Sequence, residues 1–125
     1  MNFVWFDYES SGSRVNTDQV LEGSIVLTDD RFKILEKKEL RCRLKHNIVP
    51  SIGALLVNNI SVETLQSAPL SHYQFVLENH KWFENFSPAY FTGYNVQGFD
   101  IEFYRRMLFK NLLPNWYQTN TNGNK

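Results

Sequence analysis

The sequence has little of what would cross-link a chain or draw it to a charged surface. Cys42 is its only cysteine, so no internal disulfide can form, and no Cys/His grouping has the spacing of a zinc site. A reducing cytoplasm fits that usage. Charge of one sign is also missing, since 13 Lys and Arg stand against 13 Asp and Glu. A zero balance gives no long-range pull toward phosphates or an anionic membrane, so a partner of that kind has to be argued from a site. Long apolar runs are absent as well. Met1-Asn2-Phe3-Val4-Trp5-Phe6 meets Asp7 with no basic residue before it, too brief for a signal peptide or a spanning helix. The chain is therefore expected to be soluble and cytoplasmic, with no membrane partner. There is no internal repeat and no linker long enough to divide 125 residues, which bounds the chain at one domain. What is present is 42% hydrophobic and 15% aromatic residues, enough to build a core and to exclude a disordered or collagen-like chain.

Residues 3–6 are apolar, β-branched or aromatic, and predict a central strand buried on both faces. Residues 8–18 turn to Ser, Gly, Asn and Asp and predict a loop just after it. Two further strands are expected at 21–28 and 32–44, joined through Asp29-Asp30-Arg31, the second with the charged face of an edge strand. Pro50-Ser51 before Ile52, Leu55 and Leu56 predicts a short helical turn that breaks at Asn59. Ser61 reads as the N-cap of a segment stopped by Pro69, and Ser71 as the cap of a helix through Asn85. The apolar face of that helix is expected to be Phe75, Val76, Trp82, Phe83 and Phe86. A second buried strand follows at 90–94. From Gly98, Phe99, Phe103, Tyr104, Met107, Leu108 and Leu112 recur at helical spacing, with Arg105, Arg106 and Lys110 outward. The polar tail 115–125 is expected to fray. Strands first, then alternating helix and strand, give an α/β fold with a mixed sheet.

Asp7 and Glu9 stand two apart at the end of the first strand, and a period of two sends both side chains to one face. Carboxylates that close repel unless a cation lies between them, and Mg²⁺ or Mn²⁺ prefers such oxygen ligands. The plainer reading is a turn cap and a solvated acid. Asp100 begins the last helix, just after the second buried strand, where groups beyond neighbouring parallel strands converge; its plainer role is a first-turn acid complementing the helix dipole. Arg14, Arg105, Arg106 and the run Arg41, Arg43, Lys45 are open to two readings, phosphate contacts or solvated faces.

Phe6-Asp7-Tyr8-Glu9-Ser10 and Gly93-Tyr94-Asn95-Val96-Gln97-Gly98-Phe99-Asp100 resemble the first two motifs of the DEDD exonucleases, in particular of bacterial exonuclease I, which read D-Y-E-T and G-Y-N-x-x-x-F-D. The resemblance extends to the loop 12–18, to Glu22, to the stretch 50–61 and to Trp116-Tyr117. It implies a ribonuclease H-like fold, with antiparallel strands 1–3 plus a parallel strand flanked by helices. It also implies a 3′→5′ exonuclease that hydrolyses single-stranded DNA to mononucleotides in DNA repair, with Asp7, Glu9 and Asp100 as catalytic metal ligands. Two Mg²⁺ or Mn²⁺ ions would share them, one activating the attacking water and one steadying the leaving 3′ oxygen. Ser10, Ile60, Ser61 and Asn95 would border the substrate, although Ile60 also reads as a buried residue and Asn95 as a turn former. The implied partners are a 3′ end of single-stranded DNA and the single-stranded DNA-binding protein, with the enzyme itself a monomer.

Two departures accompany the match. The family's third motif, H-x-x-x-x-D, which carries the general base and a fourth carboxylate, is absent: His46, His72 and His80 all precede Asp100 and none is followed five residues on by Asp. Asn59 stands where the family has Gly before Ile60. The chain is accordingly read as the N-terminal part of such an enzyme, incomplete at the C-terminus and inactive alone. Other readings stay open: a different DEDD nuclease of the proofreading or RNA-trimming kind, and a non-catalytic binding module that keeps the fold.

Overall fold

A computed structural model describes residues 1–113 and 123–125. Strand β1 (Asn2–Ser10) pairs antiparallel with β2 (Val20–Thr28), and β2 antiparallel with β3 (Ile34–Arg41). After helices α1 (Ile52–Asn58), α2 (Val62–Ser67) and α3 (His72–Phe86), the chain returns as β4 (Ala89–Thr92), parallel to β1 on its other side. Helix α4 (Asp100–Lys110) follows. The sheet order is β3-β2-β1-β4, the mixed ribonuclease H-like arrangement expected.

Period-two alternation decides which face of β1 is buried. Val4, Phe6 and Tyr8 point into the core, where Phe6 meets Phe83 and Tyr8 meets Phe75 of α3, and Phe103, Tyr104, Met107 and Leu108 of α4 join the same cluster. Both long helices therefore lie on one face. The expectation that β1 is buried on both faces is corrected: Phe3 is half-buried and Trp5 exposed, stacked with each other and covered in part by Phe32 from the β2–β3 turn and by Tyr90. The loop expected from residue 8 also starts later, because Tyr8 and Glu9 continue the ladder opposite Gly23 and Glu22 and the register breaks only at Ser10.

Local signals held where the physics is local. Asp29 Oδ1 accepts from the N–H groups of Arg31 and Lys33 and shapes the hairpin turn. Ser61 caps α2, and Ser71 with Gln74 forms a capping box on α3. Tertiary packing changed other assignments. The buried stripe of α3 includes Asn79 and His80, whereas Trp82 and Phe86 are half-buried against each other. Leu112 is exposed because α4 has already ended. Of the tail expected to fray, residues 114–122, with Trp116 and Tyr117, lie outside the described residues. The last three are anchored: Lys125 exchanges hydrogen bonds with Ala89 and Phe91 along β4, and Asn124 Oδ1 accepts from Ala89 N–H at 3.0 Å.

Candidate active site

The parallel ladder between β1 and β4 stops at Trp5 and Thr92, and the acidic site forms where it stops. Past Thr92 the chain stays against β1, so close at Gly93 that an added Cβ would lie 2.6 Å from the Phe6 carbonyl oxygen. It then turns through Asn95, which adopts φ +50°, into α4. Asp100, the first residue of α4, reaches back to β1, and its Oδ1 accepts the Tyr8 backbone N–H at 2.8 Å. A side chain thus takes a hydrogen bond that a longer β4 would have offered from its backbone.

Asp7 and Glu9 flank that bond on the strand. Together with Asp100 they line one cavity of about 460 Å³. Neither Lys nor Arg lines it. Burial, followed by the charges of Asp7, Glu22 and Asp100, raises the pKa of Glu9. Burial, with Asp7 adding to it, raises that of Asp100, against the lowering effect of the Tyr8 N–H bond. Glu9 and Asp100 thus feel neighbouring carboxylates, and among the described residues no Lys or Arg lines the cavity beside them. Among the described residues, however, no three His, Cys, Asp or Glu side chains are grouped closely enough to hold an ion as they stand. The donors suit a hard divalent cation in kind, since all are carboxylates in a water-accessible cavity.

The far wall is α1. Ser51 caps it and donates its backbone N–H to the Ser11 carbonyl at 2.8 Å, and Asn58 Nδ2 donates to the Ser10 carbonyl at 3.0 Å. Both ends of the helix are thereby tied to the chain leaving β1. Ser10 is buried and lines the cavity, its hydroxyl turned to the Gly12 carbonyl at 2.5 Å. Asn95 lines it too. Ile60 and Ser61 do not. Ile60 packs with Leu21 and Leu65 in a small separate core, driven there by apolar burial, and the Ser61 hydroxyl accepts the Thr64 N–H as a helix cap. The departure at Asn59 has a backbone reason: this C-cap of α1 has φ +54°, a conformation open to Gly or Asn. Sequence reasoning missed Asn58 and Tyr94 as lining residues. Nothing local marks Asn58, whose bond spans 48 residues, but Tyr94 stood inside the quoted motif and is 95% exposed. None of the three histidines lines the cavity.

No family model matches the chain. Along nearly its whole length it is similar to exodeoxyribonuclease I. Identity to that protein of Buchnera aphidicola subsp. Schizaphis graminum is 27% over 126 residues, covering 98% of this chain and 26% of the relative. The crystal structure of E. coli exonuclease I with a dA16 oligonucleotide superposes with a TM-score of 0.93 at 22% identity, over 99% of this chain and 27% of that one. An ExoI/SSB-Ct complex and a zinc-bound E. coli ExoI–ssDNA complex superpose with TM-scores of 0.92 and 0.93 at 22% identity. A moderately thermophilic exonuclease I from Methylocaldum szegediense gives 0.92 at 26% identity with the same coverage. The chain spans about a quarter of the length of these relatives.

Proposed function

We propose that the chain carries the first part of a divalent-metal-dependent 3′→5′ exonuclease acting on single-stranded DNA, with Asp7, Glu9 and Asp100 as its metal-binding carboxylates. The observation that supports it most is that these three acids line one cavity without a counter-charge, at the place where β4 leaves β1. Mg²⁺ or Mn²⁺ held there would polarise the scissile phosphate and supply an activated water. The protein's own part is positional. Tyr8 N–H fixes one oxygen of Asp100 by a hydrogen bond of 2.8 Å. Asp7 and Glu9 are held at a two-residue spacing by pairing with Ser24 and Glu22.

The base end of a terminal nucleotide has a surface to meet. Exposed Tyr94 and half-buried Phe99 offer aromatic faces, and Val57 and Ala54 of α1 form an apolar wall opposite. Stacking of this kind binds single strands with little sequence preference. Ser10 and Asn95 border the same space, while Ile60 and Ser61 act through the fold. A cytoplasmic location suits the buried thiol of Cys42, whose pKa burial pushes up to about 12, out of reactive range. The single-stranded DNA-binding protein is proposed as a partner of the complete enzyme.

No His follows Asp100 within the 125 residues, so a general base worth ~10²–10⁴-fold is missing from this stretch. The chain alone should hydrolyse DNA at close to the background rate. The test incubates a 3′-labelled single-stranded oligonucleotide and Mg²⁺ with this chain and with a version extended through a downstream H-x-x-x-x-D. Mononucleotide release by the extended protein, lost in Asp100→Ala, is the expected result. Equal release by the extended protein and its Asp100→Ala variant would remove Asp100 from the mechanism.

A further inference from the structure

We infer that a second groove, reached from the acidic cavity across the loop 11–19, binds a backbone phosphate of the strand whose 3′ end occupies that cavity. This rests on the nucleolytic reading above. Lys45, His72, Arg106 and Lys110 line the groove, with Thr17 and Asp18 at its near side. They come from separate parts of the chain: Lys45 follows β3, His72 opens α3, and Arg106 and Lys110 sit one turn apart on α4. Only the fold brings them together.

The groove leaves its cations without enough negative charge. Lys110 loses basicity through burial and the nearness of Lys45 and Arg106, and only Asp18 works the other way. Asp18 is already engaged, accepting the Ser11 hydroxyl and the Arg14 backbone N–H, both at 2.9 Å. Lys110 Nζ donates to the Asn16 carbonyl at 2.7 Å, which holds that cation beside the loop. An oxyanion would offset the excess positive charge.

His72 points the same way independently. Asn111 Nδ2 donates to the Met107 carbonyl at 2.7 Å, which fixes the orientation of the amide. The same nitrogen faces His72 Nε2 at 3.2 Å, so Nε2 accepts and the neutral ring carries its proton on Nδ1. Nδ1 is buried and has no acceptor among the described residues. Burial and the charges of Lys45 and Lys110 lower the pKa of the ring to about 4, which keeps it neutral at pH 7. A buried N–H donor beside three cations calls for an acceptor, and a phosphate oxygen provides one.

The two sites are connected. A shallow groove shares Gly12, Ser13 and Ser51 with the acidic cavity, and shares Thr17, Asp18 and Ile48 with the basic groove. Arg14 lies along it. These shared residues give a strand ending at Asp7, Glu9 and Asp100 a continuous course from one site to the other.

The test measures binding of 5′-labelled oligothymidylates of about two and about twelve nucleotides to the 125-residue chain with Mn²⁺, by fluorescence anisotropy at several salt concentrations. Removing two of the cations that hold this phosphate with Lys45→Gln/Arg106→Gln should weaken the longer strand roughly tenfold and flatten its salt slope by about 0.7, the value for one phosphate on a single strand, without changing the shorter one. Equal loss for both lengths, or none for the longer, overturns the proposal. An Asp7→Asn arm separates the two readings: if it leaves both lengths unaffected while the double variant weakens the longer strand, the acidic-cavity reading fails and the phosphate site stands. Inorganic phosphate is titrated in parallel while the ¹⁵N signal of His72 Nδ1 is followed. Movement of that signal with phosphate but not with the longer strand would assign the groove to a free anion and overturn the strand path.

Discussion

The acidic cavity and the basic groove lie on either side of a single loop and are built on opposite principles of charge. In the cavity, burial and neighbouring carboxylates raise the pKa values of Glu9 and Asp100, and no Lys or Arg lines the space. In the groove, Lys45, Arg106 and Lys110 crowd one carboxylate that is already bonded. Summed over the chain, the charges cancel. The comparison shows that net charge describes long-range solution behaviour and says nothing about fields a few ångströms across, which the fold creates by sorting residues into separate places.

The largest effect expected from breaking this pairing is on metal binding. Asp7→Asn should weaken Mn²⁺ binding by more than about 100-fold, beyond the ~10–100-fold typical of losing a group that merely supports a ligand, whereas Lys45→Gln should leave it unchanged. Calorimetric titration of both variants measures it, and equal effects would erase the distinction between the two regions.

Next comes the loop that separates them. Asp18 ties Ser11 to Arg14, and an added Cβ on Gly12 would lie 2.5 Å from Asp18 Oδ2. Asp18→Ala should cost about 1–3 kcal/mol by denaturant unfolding, and it should disturb ligand binding at both regions, since the loop borders each.

A smaller effect depends on pH. Glu9 and Asp100 have raised pKa values in the folded chain, so they hold protons more tightly there than when unfolded. Their contribution to stability is therefore present at low pH and fades as pH rises through the raised values. Asp100→Asn keeps an oxygen for the Tyr8 N–H but removes the charge, and without metal it should raise the Tm at pH 7 more than at pH 3.5. Added Mn²⁺ should reverse the order of the two proteins at pH 7, because only the wild type gains from binding. Thermal unfolding in chelator and in Mn²⁺ checks both signs.

The smallest effects belong to residues outside the two regions. Ser61→Ala should cost ~1 kcal/mol and Ile60→Val ~0.5–1.5 kcal/mol, with oligonucleotide binding unchanged in each. A loss of binding at full stability would return Ile60 to the substrate site.

These expectations divide along the line between local and long-range structure. The spacing of Asp7 and Glu9, the caps at Ser61 and Ser71, and the hairpin at Asp29 could be read from the sequence because each depends on residues within a few positions. Asp100 was found through a motif, yet its bond to Tyr8 crosses 92 residues and no periodicity announces it. For Ile60 the resemblance points to substrate and the residue type to burial, and the packing with Leu21 and Leu65 that decides for burial joins separate elements. The open face of β1 was read as buried because an apolar run shows that a strand is shielded but not which face the helices choose. The basic groove was legible only as scattered cations, since α4, α3 and the segment after β3 meet nowhere in the sequence.

The central claim is that Asp7, Glu9 and Asp100 together bind a catalytic divalent ion, and paramagnetic broadening by Mn²⁺ tests it most directly. In a ¹³C-carboxylate spectrum of the chain, low Mn²⁺ concentrations should broaden the side-chain signals of these three residues first and together, and Mg²⁺ should compete the effect away. Early broadening confined to other carboxylates, with the Asp7, Glu9 and Asp100 signals left sharp, would contradict the account.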